Sequence, residues 1–484
     1  MSHGGILAFG PFRLDTKARR LTRDGTPVAL GARQFDLLHI LVAKAGHVIS
    51  KDALIEVAWR DVAVTDNSLE QAISSLRRAL GPSGGHAYIE TQARRGYRFV
   101  GDVTRLETRE TDEALDALLA PHRAWLEGRA ALETLERDHI LHARQVFEAV
   151  LSTVPDQASA HVGLANACAM QFEMTRVDEV PDTDALRRAA HHAREACRLD
   201  AEYGEGWATL GFVLDRTGEH TEALAALRRA VALEPDNWRH HVRLSYAGWG
   251  EERLREARRT LALLPGFPLA HLLAATVHVA RQAFSEAERE LVAGIAAENT
   301  QAIMQARFGG VALHWLLGLI YLARGDEARA LAEFDRELSF EASGHLYARE
   351  CSANTWYAIG AVRLRQRRLE DARAAFSRAL ERVPMHLMAR AGLLAAGPHG
   401  GLAAGEGGDR LEGRISSVDA AICAAARLVA TDHTFEAARL VDDALKEAVP
   451  GNSGWLLPVE PLLRLQPDAN VWAATLARLR SRAA

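Results

Sequence analysis

Apolar positions recur at helical spacing between residues 64 and 80. At about 100° per residue, Leu69, Ala72, Ile73, Leu76 and Leu80 fall on one side of a helix. Asn67, Gln71, Ser74, Ser75 and Arg78 fall on the other, and Arg77 lies on the flank beside Glu70. The polar face has few acids, small hydroxyls and amides, and a basic end. A helix that enters the DNA major groove needs such a face, able to hydrogen-bond without repelling phosphate. Upstream, Leu30, Phe35, Leu37, Leu38 and Leu41 mark one helix, and Ser50 is placed to cap another that carries Leu54, Val57 and Trp59. On either side the pattern changes to alternation. Phe9, Phe12 and Leu14 alternate, and Asp24-Gly25 makes a turn between Leu21 and Val28-Leu30, which predicts a small antiparallel sheet. Downstream, Tyr88–Thr91 and Tyr97–Val100 read as the strands of a hairpin. Residues 92–96 lie between them, with Gly96 able to take the turn and Arg94 and Arg95 near the tip.

In chain order these pieces read Phe35-Asp36-Leu37-Leu38, then Gly46-x-Val48-Ile49-Ser50-Lys51-x-x-Leu54-x-x-x-x-Trp59. Next comes Asn67-Ser68-Leu69-x-Gln71-Ala72-Ile73-x-x-Leu76-Arg77-Arg78-Ala79-Leu80, then Arg94-Arg95-Gly96-Tyr97-Arg98-Phe99. The series resembles the OmpR/PhoB-type winged helix-turn-helix DNA-binding domain, in its ToxR/CadC-like branch, over residues 6–103. The resemblance implies a four-stranded N-terminal sheet, three helices and a C-terminal hairpin. It also implies that the helix around 67–80 reads the major groove of double-stranded promoter DNA, and that a homodimer on tandem half-sites is plausible. Carried onto this chain, it gives Asn67, Gln71, Ser74, Ser75, Arg77, Arg78, Arg94 and Arg95 as DNA-binding residues. Arg77 is equally suited to a structural role. Leu69, Ile73, Leu76, Trp59 and Tyr97 belong to the core, and Lys51 is read as a solvated lysine. One departure matters. Where many relatives carry Arg two residues after the wing threonine, this chain has Ala93, so the groove-reaching role passes to Arg94 or Arg95. With short side chains on the reading face, base readout leans on Gln71, Asn67, water-mediated contacts and DNA shape.

The remaining chain is repetitive. Trp207, Leu210, Gly211, Leu214, Ala223, Leu227, Ala230 and Pro235 superpose without a gap on Trp356, Ile359, Gly360, Arg363, Ala372, Phe376, Ala379 and Pro384. His314, Leu317, Gly318, Tyr321, Ala330 and Phe334 keep the same spacing. This resembles the tetratricopeptide repeat, a helix–turn–helix unit of roughly 34 residues. The glycines and alanines let paired helices approach, bulky residues fill the space between repeats, and proline ends the unit. Weaker units carry Phe147 and Pro155, Ala189 and Ala193, Ala257 and Leu261, Ala287 and Leu291, and Ala437 and Val441. About eight or nine units are expected. Residues 176–181 lengthen one connection, 395–408 read as a glycine-rich loop, and the stretch from Trp455 to Trp472 reads as a capping segment with a terminal helix. The expected organisation is a winged domain at 1–103, a linker at 104–112 and a repeat array at 113–484. The fold class is a small α+β winged helix-turn-helix followed by an all-α tetratricopeptide-repeat superhelix.

Charge separates the two parts. The whole chain carries −5, but residues 1–103 hold 14 Lys and Arg against 10 Asp and Glu, a balance of +4 that leaves −9 for the rest. A mildly basic head and an acidic body fit a head that meets DNA and a body that avoids it. Cys168, Cys197, Cys351 and Cys423 lie far apart, without metal-ligand spacing, and suit a reduced cytosol. The most apolar stretch, 311–323, is too short for a bilayer span, so a soluble, cytoplasmic chain without membrane contact is expected. The adjacent pairs His191-His192 and His240-His241 point different ways on a helix and read as packing residues. No nucleophile elbow, Walker or HExxH motif is present, and no receiver domain, cofactor, metal or enzymatic activity is expected. These observations leave a one-component transcriptional regulator whose array senses a protein, peptide or small-molecule partner or mediates self-association. The alternative is a repeat scaffold whose winged domain does not bind specific DNA.

Overall fold

The computed structural model describes residues 6–59, 66–81, 88–93, 95–106, 112–133, 137–300, 310–343, 345–397, 417–463, 465 and 469–484. By its internal contacts the chain forms two compact units. The first is Met1–Leu132, Leu141–Cys168 and Arg187–His240, and the second is Glu133–Ile140, Ala169–Leu186 and His241–Ala484.

The first unit begins with an antiparallel sheet. β1 (Ile6–Phe9), β2 (Phe12–Asp15), β3 (Arg20–Arg23) and β4 (Thr26–Val28) follow one another. Leu7 pairs with Leu14, and Leu14 with Leu21, so the apolar alternation lies on one face. Phe9, Phe12, Leu14 and Leu21 are at most 1% exposed. Asp24 and Gly25 both take positive φ, 49° and 82°, the two-residue turn that matches strand twist. α1 (Ala32–Ala43), β5 (Val48–Ile49), α2 (Lys51–Ala58) and α3 (Asp66–Ala79) come next. Ser50 caps α2 as expected, its hydroxyl accepting from the Ala53 N–H at 3.2 Å. β6 (Ile89–Gln92) and β7 (Gly96–Phe99) form the wing, with sheet order β5-β7-β6. The strands sit one residue off the expected Tyr88–Thr91 and Tyr97–Val100, because the turn closes tightly between Gln92 and Gly96. A second correction concerns the N-terminal sheet. β8 (Thr104–Leu106) pairs with β1, giving five strands in the order β4-β3-β2-β1-β8 where four were expected. The segment read as linker therefore starts by satisfying the open edge of β1.

Helical hairpins make up the rest. They are α4 (Asp112–Glu133) and α5 (Arg137–Thr153), α6 (Ala158–Thr175) and α7 (Thr183–Leu199), and α8 (Gly204–Thr217) and α9 (His220–Leu233). Next are α10 (Trp238–Ala247) and α11 (Gly250–Leu263), α12 (Pro268–Ala280) and α13 (Phe284–Thr300), and α14 (Leu313–Ala323) and α15 (Glu327–Leu338). The last are α16 (Ala348–Arg365) and α17 (Leu369–Arg382), a single α18 (Leu387–Ala395), α19 (Ser417–Ala430) and α20 (Thr434–Glu447), and the terminal α21 (Ala469–Arg482). The repeat glycines act by close approach. A Cβ on Gly211 would stand 2.5 Å from Leu227, on Gly318 2.4 Å from Phe334, and on Gly360 2.6 Å from Phe376. Ala223, Ala330 and Ala372 are fully buried on the opposing helices. Most of the glycine-rich loop expected at 395–408 lies outside the described residues.

In the second unit two features exceed what the sequence announced. The long α6–α7 connection engages the start of α16: Arg349 bonds Asp178 at 2.6 Å, and Tyr347 donates to Glu173 at 3.0 Å. Arg176 joins the same cluster, paired with both Glu173 and Glu350. The tail does more than cap the last repeat. Its two short 3-10 turns, Leu457–Val459 and Pro461–Leu463, run against α12, α14, α16 and α19. Leu457 and Leu463 are fully buried there. The peptide-like strap thus occupies the first helices of successive repeats.

Candidate nucleic-acid interface

α3 is held to the head by Leu69, Ile73, Leu76 and Leu80, all at most 1% exposed. Its outer face presents Gln71, Ser74 and Arg78 to solvent, with Ser75 half-buried. Gln71 and Ser74 have no side-chain hydrogen-bond partner among the described residues. Arg78 Nη2 donates to Ser75 Oγ at 2.9 Å, so this guanidinium lies along the helix. Asn67 stands in the first turn of α3, and its side chain lies outside the described residues. The face therefore carries amide and hydroxyl groups that can pair with base edges, and one cation that can reach phosphate.

Arg77 points the other way. Its Nε and Nη2 donate to the Ile89 carbonyl at 3.2 and 2.7 Å, and Nη2 also donates to Thr91 Oγ1 at 2.9 Å. The guanidinium lies 5.9 Å from the Tyr97 ring centroid. These bonds fix the wing against the reading helix, so the helix and the wing present their outer groups as one surface. Glu70, expected beside Arg77, instead accepts from Lys51 Nζ at 2.9 Å. Lys51 is therefore a tie between α2 and α3 and not merely solvated.

At the wing, Arg95 is exposed and its N–H closes the turn on the Gln92 carbonyl at 2.9 Å. Arg94 lies outside the described residues. Gly96 is required twice over. Its φ is +132°, and a Cβ would stand 1.9 Å from the Ile49 carbonyl oxygen. Arg98 Nη2 bonds Glu90 at 2.7 Å, which neutralises the stem and leaves positive charge at the tip.

Several of the array's histidines are engaged internally. His241 bonds Glu256 at 2.7 Å, His271 bonds Glu290 at 2.8 Å and His314 bonds Glu333 at 2.6 Å. The last two pairs share a 19-residue spacing across one hairpin, a signal visible in the sequence that motif reading passed over. His192 faces His161 ring nitrogen to ring nitrogen at 2.9 Å, and burial pulls its pKa down to about 4. His240 is buried against Glu234 at 2.7 Å. Burial pushes the Cys168 thiol up to about 11 and that of Cys197 to about 12, which suits packing better than nucleophilic or ligand roles. No described helix is long and apolar enough to cross a membrane.

A helix pinned by its apolar face beside a basic-tipped hairpin, at the head of stacked helical hairpins, defines the class. The N-terminal domain is an OmpR/PhoB-type winged helix-turn-helix, and tetratricopeptide repeats follow it. The model of the family "Transcriptional regulatory protein, C terminal" matches residues 25–99, and models of the tetratricopeptide repeat match 204–237 and 357–409. Among curated relatives, the transcriptional regulator HilA of Salmonella typhimurium is 38% identical over 79 residues, which is 16% of this chain and 14% of that protein. The transcriptional activator CadC of Escherichia coli K12 is 29% identical over 112 residues, 23% of this chain and 22% of that one. The solved DNA-binding domain of E. coli CadC covers 21% of this chain and 98% of its own length, at 28% identity and a TM-score of 0.20. The chain thus spans less than a quarter of the length of the curated relatives it matches.

Proposed function

We propose that this chain is a one-component transcriptional regulator. The outer face of α3 enters the major groove of promoter DNA, with Gln71, Ser74, Ser75 and Arg78 as contacts and Asn67 at its leading turn. Arg94 and Arg95 extend from the wing to phosphate or the minor groove. Arg77 contributes by holding wing and helix in register. The observation that carries the reading is the split of α3, with four apolar side chains fully anchored and Gln71, Ser74 and Arg78 exposed on the opposite side. The repeat array is the receiving part. It takes a protein, peptide or small-molecule signal, or joins two copies on tandem half-sites, and the chain works in the cytoplasm. The strap that fills the first helices around α12–α16 directs an incoming partner to another face of the second unit.

A gel shift on the chain's own upstream DNA tests this, using Gln71→Ala and the double change Arg94→Ala/Arg95→Ala. Each variant is expected to lose binding at moderate salt, and retention by both would refute the contact assignment. Genome-wide immunoprecipitation separates the scaffold alternative, which predicts no discrete sites.

A further inference from the structure

The repeat matched at 204–237 ends in the turn Glu234-Pro235-Asp236-Asn237, and within the first unit this turn touches the winged domain. Arg33 Nη2, in the first turn of α1, pairs with Glu234 Oε2 at 2.9 Å. Ser68 Oγ, in the first turn of α3, donates to Asp236 Oδ2 at 3.1 Å. The Arg33 guanidinium is itself seated 5.6 Å from the Trp59 ring centroid. Glu234 is braced: it accepts from Asn237 Nδ2 at 2.8 Å and contacts His240 Nε2 at 2.7 Å, and Pro235 stiffens its link to Asp236.

In register with Pro235, the turn prolines Pro155, Pro265 and Pro384 follow Val154, Leu264 and Val383. Asp200 follows α7 in the same register, so an acid recurs at this position, and Glu234 places its carboxylate there with the side chain only 11% exposed. Burial alone would raise that carboxyl. The Arg33 guanidinium, with His240 and Asn237, outweighs burial and holds it down at about 2, so it stays ionised at any physiological pH. A fixed, largely buried negative charge needs a cationic partner, and that partner comes from the DNA-binding head.

The position of the contact matters for function. The first-turn N–H groups of a helix lack intrahelical partners and attract anions, and reading helices meet DNA through their N-terminal residues. Two carboxylates joined by a proline and held against the starts of α1 and α3 present anionic oxygens to the part of α3 that a DNA backbone would approach. DNA and the turn, both anionic, cannot occupy this ground together.

We infer that the Glu234–Asn237 turn is a clasp for the chain's own reading head, standing where DNA phosphate would stand, and that promoter binding requires its release. This rests on the DNA-reading role proposed above. It also gives the array a physical means of control: any partner that shifts the α9–α10 turn changes the fraction of heads free to bind.

The test uses the full chain and fluorescence anisotropy on its upstream duplex and on a random duplex. Glu234→Val, the residue that Val383 supplies in the sister repeat, combined with Asp236→Asn, leaves α3 untouched. This double variant is expected to bind roughly fivefold or more tightly, the lower end of ordinary coupling between sites. A second variant, Ser68→Cys/Asp236→Cys, reports on the clasp without DNA. It should cross-link under oxidant, lose binding when cross-linked and regain it with reductant. Unchanged or weaker binding by the Glu234→Val/Asp236→Asn variant, with an unchanged thermal melt, would overturn the clasp while wild-type binding leaves the DNA-reading role intact. Failure of the cysteines to cross-link in a folded chain would overturn it as well. Absence of binding by wild type and variant alike would overturn both readings.

Discussion

Polar side chains meet opposite fates on the reading helix and in the repeat array. On α3, Gln71 and Ser74 face solvent with no partner among the described residues. In the array, His241, Arg253, His314 and Tyr357 are buried, and each is matched: to Glu256, to Thr276 and several backbone carbonyls, to Glu333 and to Glu460. Burial makes an unmatched polar group costly, so these four residues are tied to partners and serve the packing. Exposed donors and acceptors cost nothing in water and remain available to a base edge. The difference separates a surface for recognition from an interior for shape, although both are built from similar residue types.

The largest expected effects come from breaking each region at its tightest approach. Phe376 is fully buried, against Gly360 and Gly392, and Phe376→Ala should cost about 3–5 kcal/mol, read as a lower melting temperature of the array. Gly96→Ala should cost the head at least about 3 kcal/mol, because a Cβ there meets backbone and not a movable side chain. Its measured outcome is lost DNA binding with the array's melt in place. If either change lowers both signals equally, the two regions fold as one.

Glu460 sharpens the array side. Burial pushes its carboxyl up to about 7 from an ordinary 4.5, against the pull of the Tyr357 hydroxyl. The folded chain therefore binds this proton more tightly than the unfolded chain does. Strap stability is greatest below about pH 4.5, falls between there and about 7, and stays low above. Glu460→Gln should flatten this window and stabilise the chain at pH 8 by roughly 2–3 kcal/mol, measured by denaturant melts across pH. On the head side the effects are smaller. Arg95→Ala should weaken all duplexes alike and reduce the salt slope by about one unit. Lys51→Ala breaks an exposed pair and should change head stability by no more than about 1 kcal/mol.

How far the sequence foretold these features depended on the range of the interaction. Local patterns were plain: Asp24-Gly25 as a turn, Ser50 as a cap, and the apolar stripe of α3. The repeat glycines were equally legible, because one helix-pairing geometry recurs and stamps its spacing on the chain. Contacts between distant segments were not. Arg77 carries nothing in its own neighbourhood that names the Ile89 carbonyl as its partner. The strap's apolar residues match those of any buried turn, and only the folded array shows that they lie across several first helices. Thr104–Leu106 reads as linker because its partner, β1, lies almost a whole domain earlier. Glu234 carried no distinguishing signal, since Asp200 holds an acid in the same register, and its meaning needed Arg33 in space.

The most direct test of the central claim is a binding titration comparing Gln71→Ala with wild type on the upstream duplex and on random DNA. The account predicts that this change costs about 1–3 kcal/mol on the upstream duplex and little on the random one, so that selectivity falls. Equal affinity and equal selectivity for variant and wild type would contradict the assignment of α3 as the reading helix.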